Sequence, residues 1–173
     1  MTVNPLDLSG KNIIVTGASS GIGLATSRLI SELGGKVAMI SRNRQKLQNS
    51  AQELVKGSYR CYPFDLSNLD EIPALVNSIR AEMGPSGGLV HSAGDFAVTP
   101  LRAFHPDEYR SLYDLHVTAF FMLAQAVCSR RNVDASGASI VAVSSIAATT
   151  GSEGLSTYSS VKGALLSAVR SLA

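Results

Sequence analysis

Tryptophan is absent from this 173-residue sequence, cysteine occurs twice, and charged residues make up 16% of it. Cys61 and Cys128 fit neither a C-x-x-C pair nor a metal-ligand spacing, so they read as small buried side chains in a reducing compartment, and no metal site is expected. Lys and Arg number 15 against 13 Asp and Glu, a net charge of +2 that is scattered along the chain, which argues against a nucleic-acid partner. No apolar run is long. The most apolar one, residues 117–127, falls well short of the roughly 20 residues a membrane span needs, so no membrane partner is expected. Met1-Thr2-Val3-Asn4-Pro5 lacks the basic segment and apolar core of a secretory signal, and a cytoplasmic location is the expectation. No low-complexity segment, internal repeat or linker divides residues 1–173, which read as a single domain.

The chain does carry short apolar runs alternating with amphipathic stretches. Residues 12–15, 36–41, 58–62, 89–91 and 139–144 read as strands of buried character. Between them, Ala25, Leu29, Ile30 and Leu33 predict a helix over about 21–33, stopped at Gly34-Gly35; Leu47, Ala51, Leu54 and Val55 predict a second. Ile72, Leu75, Val76, Ile79 and Met83 mark a third helix with an N-cap at Ser67-Asn68. A fourth, starting at His105-Pro106, is apolar on more than one face through Tyr113, Val117, Phe120, Phe121 and Val127; a fifth starts near Thr157. This alternation predicts a doubly wound α/β fold, a mostly parallel sheet with helices on both faces. Ligands in such sheets gather beyond the C-terminal strand ends.

Each of those ends carries glycine or polar residues. The first delivers the chain into Thr16-Gly17-Ala18-Ser19-Ser20-Gly21-Ile22-Gly23, a glycine-rich turn that opens a helix, where backbone N–H groups and the helix dipole attract a phosphate. The bland alternative is a tight turn and nothing more. The second ends in Ser41-Arg42, where an acidic residue would select a ribose 2′-hydroxyl and an arginine can pair with a 2′-phosphate; alternatively Arg42 is a solvated residue opening a helix. In Tyr158-Ser159-Ser160-Val161-Lys162, Tyr158 and Lys162 share one helix face. A phenol is a weak acid near neutral pH, and a neighbouring ammonium favours its anion.

Thr-Gly-x-x-x-Gly-x-Gly, together with Ser145 thirteen residues before the Tyr-x-x-x-Lys pair, resembles the short-chain dehydrogenase/reductase family, in particular its 3-oxoacyl-thioester reductase-like members. The resemblance implies a Rossmann-type fold and an NADP(H)-dependent interconversion of a ketone and a secondary alcohol, with NADP(H) preferred over NAD(H). It implies that Gly17, Ser19, Ser20, Gly21, Ile22 and Gly23 hold the pyrophosphate and that Ser41 and Arg42 meet the adenosine ribose. Asp65 and Leu66 would meet the adenine, unless Asp65 only closes a turn. Ala93 and Gly94 would admit the cofactor ribose. Ser145 would hydrogen-bond the carbonyl, Tyr158 would exchange the proton, and Lys162 would tune Tyr158 and hold the nicotinamide ribose; strand alternation and spacing favour Ser145 over its neighbour Ser144.

The chain departs from the family pattern in three ways. His116 stands where the family places a relay asparagine, as a relay of its own or as a satisfied core histidine, and His91-Ser92-Ala93-Gly94 replaces Asn-Asn-Ala-Gly. The sequence also stops at Ala173, short of the last strands and the substrate loop of a typical member, so a truncated domain is expected. The substrate pocket would draw on 95–102 and 147–156. Partners implied are a small carbonyl or alcohol and a second copy, in a dimer or tetramer through the fourth and fifth helices. A different class, a non-catalytic NADP-binding or assembly protein, stands as the alternative.

Overall fold

The computed structural model describes residues 4–173, so the Met1–Val3 part of the N-terminal stretch lies outside it. Five parallel strands form one sheet in the order β3-β2-β1-β4-β5: β1 Asn12–Thr16, β2 Lys36–Ser41, β3 Tyr59–Pro63, β4 Gly88–His91 and β5 Ser139–Ala142. The third strand sits one residue later than the sequence suggests, and the fifth stops at Ala142 because only Val143 N–H continues the ladder, to the His91 carbonyl.

Alternation along the strands splits the core in two. Ile14, Ala38, Ile40 and Leu89 face α3 (Ile72–Met83) and the second half of α4 (Pro106–Cys128). Ile13, Val15, Val37 and Met39 face α1 (Gly21–Glu32) and α2 (Arg44–Ala51). A third cluster joins Leu112, Val117 and Phe120 of α4 to Val161 and Leu165 of α5 (Ser156–Leu172).

Several local expectations change. On α1 the buried residues are Gly23, Ser27, Ile30 and Ser31, while Leu29 is exposed. Small side chains let this helix lie close to the sheet, and Ser27 Oγ donates to the Gly23 carbonyl at 2.8 Å instead of seeking water. Helix α2 ends at Ala51, so Leu54 is buried from the following turn and Val55 is exposed. Asn68 precedes a 3₁₀ turn, Leu69–Glu71, with no side-chain cap, so it does not start α3.

Helix α4 is 23 residues long and, with a mean hydropathy of 1.2 over 18 of them, apolar enough to span a membrane, which residues 117–127 alone do not suggest. Its apolarity has another use here. Ala119, Leu123 and Val127 pack under the sheet while Val117 and Phe120 pack against α5, as a helix sandwiched within a fold must. Its middle, Asp114–Thr118, is a π turn, which the periodicity does not reveal. Such a turn interrupts the i to i+4 ladder and recurs at functional sites.

Candidate active site

The C-terminal ends of β1, β2 and β4 open into a groove of about 260 Å³. Gly17 makes it possible at φ +65°, where an added Cβ would lie 3.0 Å from the Ala93 main chain. Ser20 caps α1 without a side-chain bond to its first turn, which leaves those N–H groups open to a ligand. Ser19 Oγ and Ser41 Oγ are 2.8 Å apart, tying the glycine turn to the end of β2, and Ser50 Oγ donates to the Ser19 carbonyl at 2.9 Å. Phe64, Leu66, Ala93 and Gly94 line the groove. Asp65 does not; its Oδ1 accepts the Ser67 N–H at 3.0 Å and closes a turn.

Thr16 joins the first strand end to the fourth. Its Oγ1 accepts the main-chain N–H groups of Ser92 at 3.1 Å and Ala93 at 3.0 Å, and lies 3.1 Å from Nδ1 of His91. Two accepted bonds fill the hydroxyl's lone pairs, so its proton goes to His91 Nδ1 and the His91 proton sits on Nε2. Burial, helped by the charges of His116 and Lys162, lowers the His91 pKa to about 3 and keeps this ring neutral. Ser92 Oγ adds a bond to the Thr16 carbonyl at 2.6 Å. The His-Ser pair therefore braces the strand ends through Thr16, while His91 Nε2 stays buried without a hydrogen-bond partner.

His116 lies in the π turn of α4, buried. Its Nε2 is 3.0 Å from the Asp95 carbonyl and 3.2 Å from the Asp95 N–H, while Nδ1 is buried without a partner. One nitrogen cannot serve as donor and acceptor at once, so a neutral ring satisfies one of the two main-chain groups. Burial lowers the His116 pKa, Lys162 adds to the effect, and Asp95 opposes it. Gly94 is obligatory beside this ring: an added Cβ would lie 2.7 Å from Nδ1 and closer still to Cε1.

Ser144 and Ser145 separate cleanly. Ser144 Oγ donates to the Lys162 carbonyl at 3.0 Å, whereas Ser145 Oγ accepts the Ala147 N–H at 3.2 Å and keeps its own proton to donate. Ala147 opens a single helical turn, Ala147–Thr150, that the sequence does not announce. Lys162 is 6% exposed, and its Nζ donates to the Val143 carbonyl at 2.8 Å and lies 5.8 Å from the Tyr158 ring centre. Burial pulls its ammonium pKa down to about 8. The half-buried Tyr158 ring meets Phe96 edge-on at 5.0 Å and His116 at 6.1 Å between ring centres.

A second cavity of about 290 Å³ begins at Asp95 and runs between the loop after β4 and the start of α4, lined by Ala97, Thr99, His105, Tyr109 and Leu112. Asp95, Ala97 and Thr99 of that wall were expected from 95–102; the larger part, from Phe104 to Leu115, was not, because nothing in the helical pattern of α4 marks those residues as pocket-lining. Asp95, expected only as the start of the 95–102 substrate wall, touches both cavities and pairs with Arg42 at 3.3 Å; its place in the cofactor groove was not anticipated. Its position directly after Gly94 at a strand end was the available signal.

The sequence model for short chain dehydrogenases matches residues 11–173. An uncharacterized oxidoreductase of Staphylococcus aureus is 31% identical over 158 residues, covering 91% of this chain and 68% of its own length. A metagenomic short-chain oxidoreductase crystallised in complex with NADP is 31% identical, with a TM-score of 0.86 over 96% of this chain and 76% of that one. A short-chain dehydrogenase from Streptomyces avermitilis is 27% identical with a TM-score of 0.88; the match covers 95% of this chain and 60% of that chain's length.

Proposed function

This chain belongs to the short-chain dehydrogenase family of oxidoreductases, and from that membership we propose that it interconverts a ketone and a secondary alcohol with NADP(H), using Tyr158 as proton donor and acceptor. The observation that carries the reading is the buried Lys162 ammonium, held beside the Tyr158 ring by the Val143 carbonyl, with an unspent Ser145 hydroxyl two residues further along that strand end. The cofactor fits the residues present: the open N–H groups of α1 and the Gly17 cradle suit a pyrophosphate, and the β2 end offers Arg42 and no carboxylate of its own. Support for NADP(H) over NAD(H) also comes from the NADP complex of a 31% identical structure.

When bound, the nicotinamide supplies or takes the hydride. The protein orients and moves the proton. Ser145 Oγ, its position fixed by the Ala147 N–H, donates to the substrate oxygen and stabilises the charge that develops there. Tyr158 gives that oxygen its proton in reduction and takes it back in oxidation. Lys162, held at Nζ by Val143, places a positive charge near the Tyr158 ring and favours the phenolate. His116 spends Nε2 on Asp95 and leaves Nδ1 as the open buried atom at which a water can extend the proton path. The substrate enters beside the 95–99 loop, in the cavity of about 290 Å³ whose walls combine Ala97, Phe104 and Leu112 with polar Thr99 and His105, and a 3-oxoacyl thioester is the substrate class to test there.

Ser145→Ala is expected to lower turnover of ketones in an NADPH oxidation assay by about 30-fold to 100-fold, while the NADPH dissociation constant stays within about twofold. A panel including 3-oxoacyl thioesters tests the substrate class at the same time. NADPH binding with no turnover on any ketone or alcohol would favour the binding-only alternative.

Assembly through α4 and α5 is part of the same proposal. Tyr113 and Phe121 stay 36% and 46% exposed on α4, beside a groove of about 390 Å³ floored by Val117, Ala164, Ala168 and Leu172. Contiguous apolar surface of this kind marks a contact face. Light scattering is expected to report a dimer or larger at micromolar concentration, and Phe121→Glu to shift it to monomer; a monomeric parent chain contradicts the assembly.

A further inference from the structure

Asp95 is the first residue after Gly94, and it reaches the cofactor groove from the β4 side. Its main chain is clamped by His116, whose Nε2 lies 3.0 Å from the Asp95 carbonyl and 3.2 Å from its N–H. The clamp leaves the side chain free to cross the groove. There Oδ1 and Oδ2 accept from one nitrogen, Nη2, of Arg42, at 3.3 and 3.5 Å. Arg42 follows β2 and Asp95 follows β4, and β1 lies between those strands, so the ion pair spans the glycine turn that leaves β1. Among the described residues lining this groove, Asp95 is the one acidic side chain, and its partner is the arginine at the end of β2.

We propose that Asp95 is a specificity-determining residue that competes with the cofactor's 2′-phosphate for the Arg42 guanidinium. The inference rests on the phosphate-binding role assigned to Arg42 above and adds to it a residue that weakens that role. A guanidinium offers a planar fork that a phosphate fills with two parallel bonds. In this structure the fork meets a carboxylate through one nitrogen only, so the fork is poorly used, and the side chains are 59% and 57% exposed. Exposed pairs of this type are weak and screened by salt, so a dianionic phosphate displaces the carboxylate. Displacement subtracts from phosphate binding in two ways: the Arg42 pair is broken, and the released carboxylate sits near a second anion. A cofactor lacking the 2′-phosphate escapes the second effect and leaves the pair intact. Asp95 thereby narrows the gap between NADP(H) and NAD(H) that Arg42 opens.

Cofactor fluorescence titrations with NADPH and NADH, on the parent chain, Asp95→Asn, Arg42→Ala and the double variant, test this. Asparagine keeps the size of the side chain, and the His116 clamp acts on the main chain, so the groove retains its shape. Asp95→Asn is expected to tighten NADPH about threefold to tenfold and NADH by less than about twofold, with the gain shrinking in high salt and reduced in the Arg42→Ala background to the part due to carboxylate–phosphate repulsion alone. Unchanged NADPH affinity in Asp95→Asn, equal tightening of both cofactors, or tightening that is undiminished without Arg42 overturns the proposal. Arg42→Ala that weakens NADPH while Asp95→Asn does nothing removes the Asp95 role and spares the cofactor reading. Arg42→Ala that leaves NADPH binding unchanged removes the cofactor reading of Arg42 itself.

Discussion

Tyr158→Phe is expected to lower carbonyl reduction by about 10³-fold with the NADPH dissociation constant within about twofold of the parent's. The substitution removes one oxygen and keeps the ring. Its edge contacts to Phe96 at 5.0 Å and His116 at 6.1 Å between centres, and the Lys162 Nζ at 5.8 Å, are made by the ring, so packing survives. What disappears is the proton. A loss confined to kcat, with cofactor binding intact, marks a group acting in the chemical step; a loss that follows NADPH affinity marks a structural role. A variant as fast as its parent would remove Tyr158 from the mechanism.

The second large effect is expected at Lys162. Lys162→Met removes the ammonium and should cost about 10³-fold in turnover, since the charge that favours the phenolate goes with it. The pH dependence is more diagnostic. With burial holding the ammonium pKa at about 8 against the usual 10.5 of a lysine, reduction is expected to run level below pH 8 and to fall above it as the charge is lost. Lys162→Arg keeps a charge that does not titrate in this range, so its fall near pH 8 should vanish even though its plateau is lower. An inflection that persists in Lys162→Arg belongs to another group. Stability carries the opposite sign. Between pH 8 and 10.5 the unfolded chain binds the Lys162 proton more than the folded chain does, so folding stability gains as pH rises through that window and Lys162→Met lacks the gain.

β1, β2 and β4 and the glycine turn were legible because buried parallel strands are apolar and a phosphate turn needs glycine at set places, whereas β3, with an exposed Arg60, was legible mainly from Tyr59, Cys61, Tyr62 and its flanking turns. The face of α1 was not. Of the expected stripe Ile30 is buried in the core, while Leu29 is exposed and Gly23 and Ser27 take up the remaining contact, since close approach rewards small side chains over apolar ones. The π turn at Asp114–Thr118 was hidden for a related reason: a single added residue in a helix apolar on several faces leaves no break in its pattern. The spacing drew attention to Ser145 over Ser144 without saying what each hydroxyl touches. The structure adds that Ser144 is spent on the Lys162 carbonyl. His91 and His116 were visible as departures from asparagine, but their proton positions depend on Thr16 Oγ1 and on the Asp95 main chain, distant in sequence and met only in the fold. The Arg42–Asp95 pair is of the same kind, joining two strand ends across the sheet.

The most direct test of the central claim is where the new carbon-bound hydrogen comes from. Reduction of a ketone substrate with NADPH deuterated at the transferring nicotinamide carbon, followed by mass spectrometry of the alcohol, is expected to place one deuterium on the carbinol carbon, with none arriving there from heavy water when the cofactor is unlabelled. An alcohol labelled at carbon from solvent, or no alcohol formed while NADPH binds, would contradict hydride transfer by this chain.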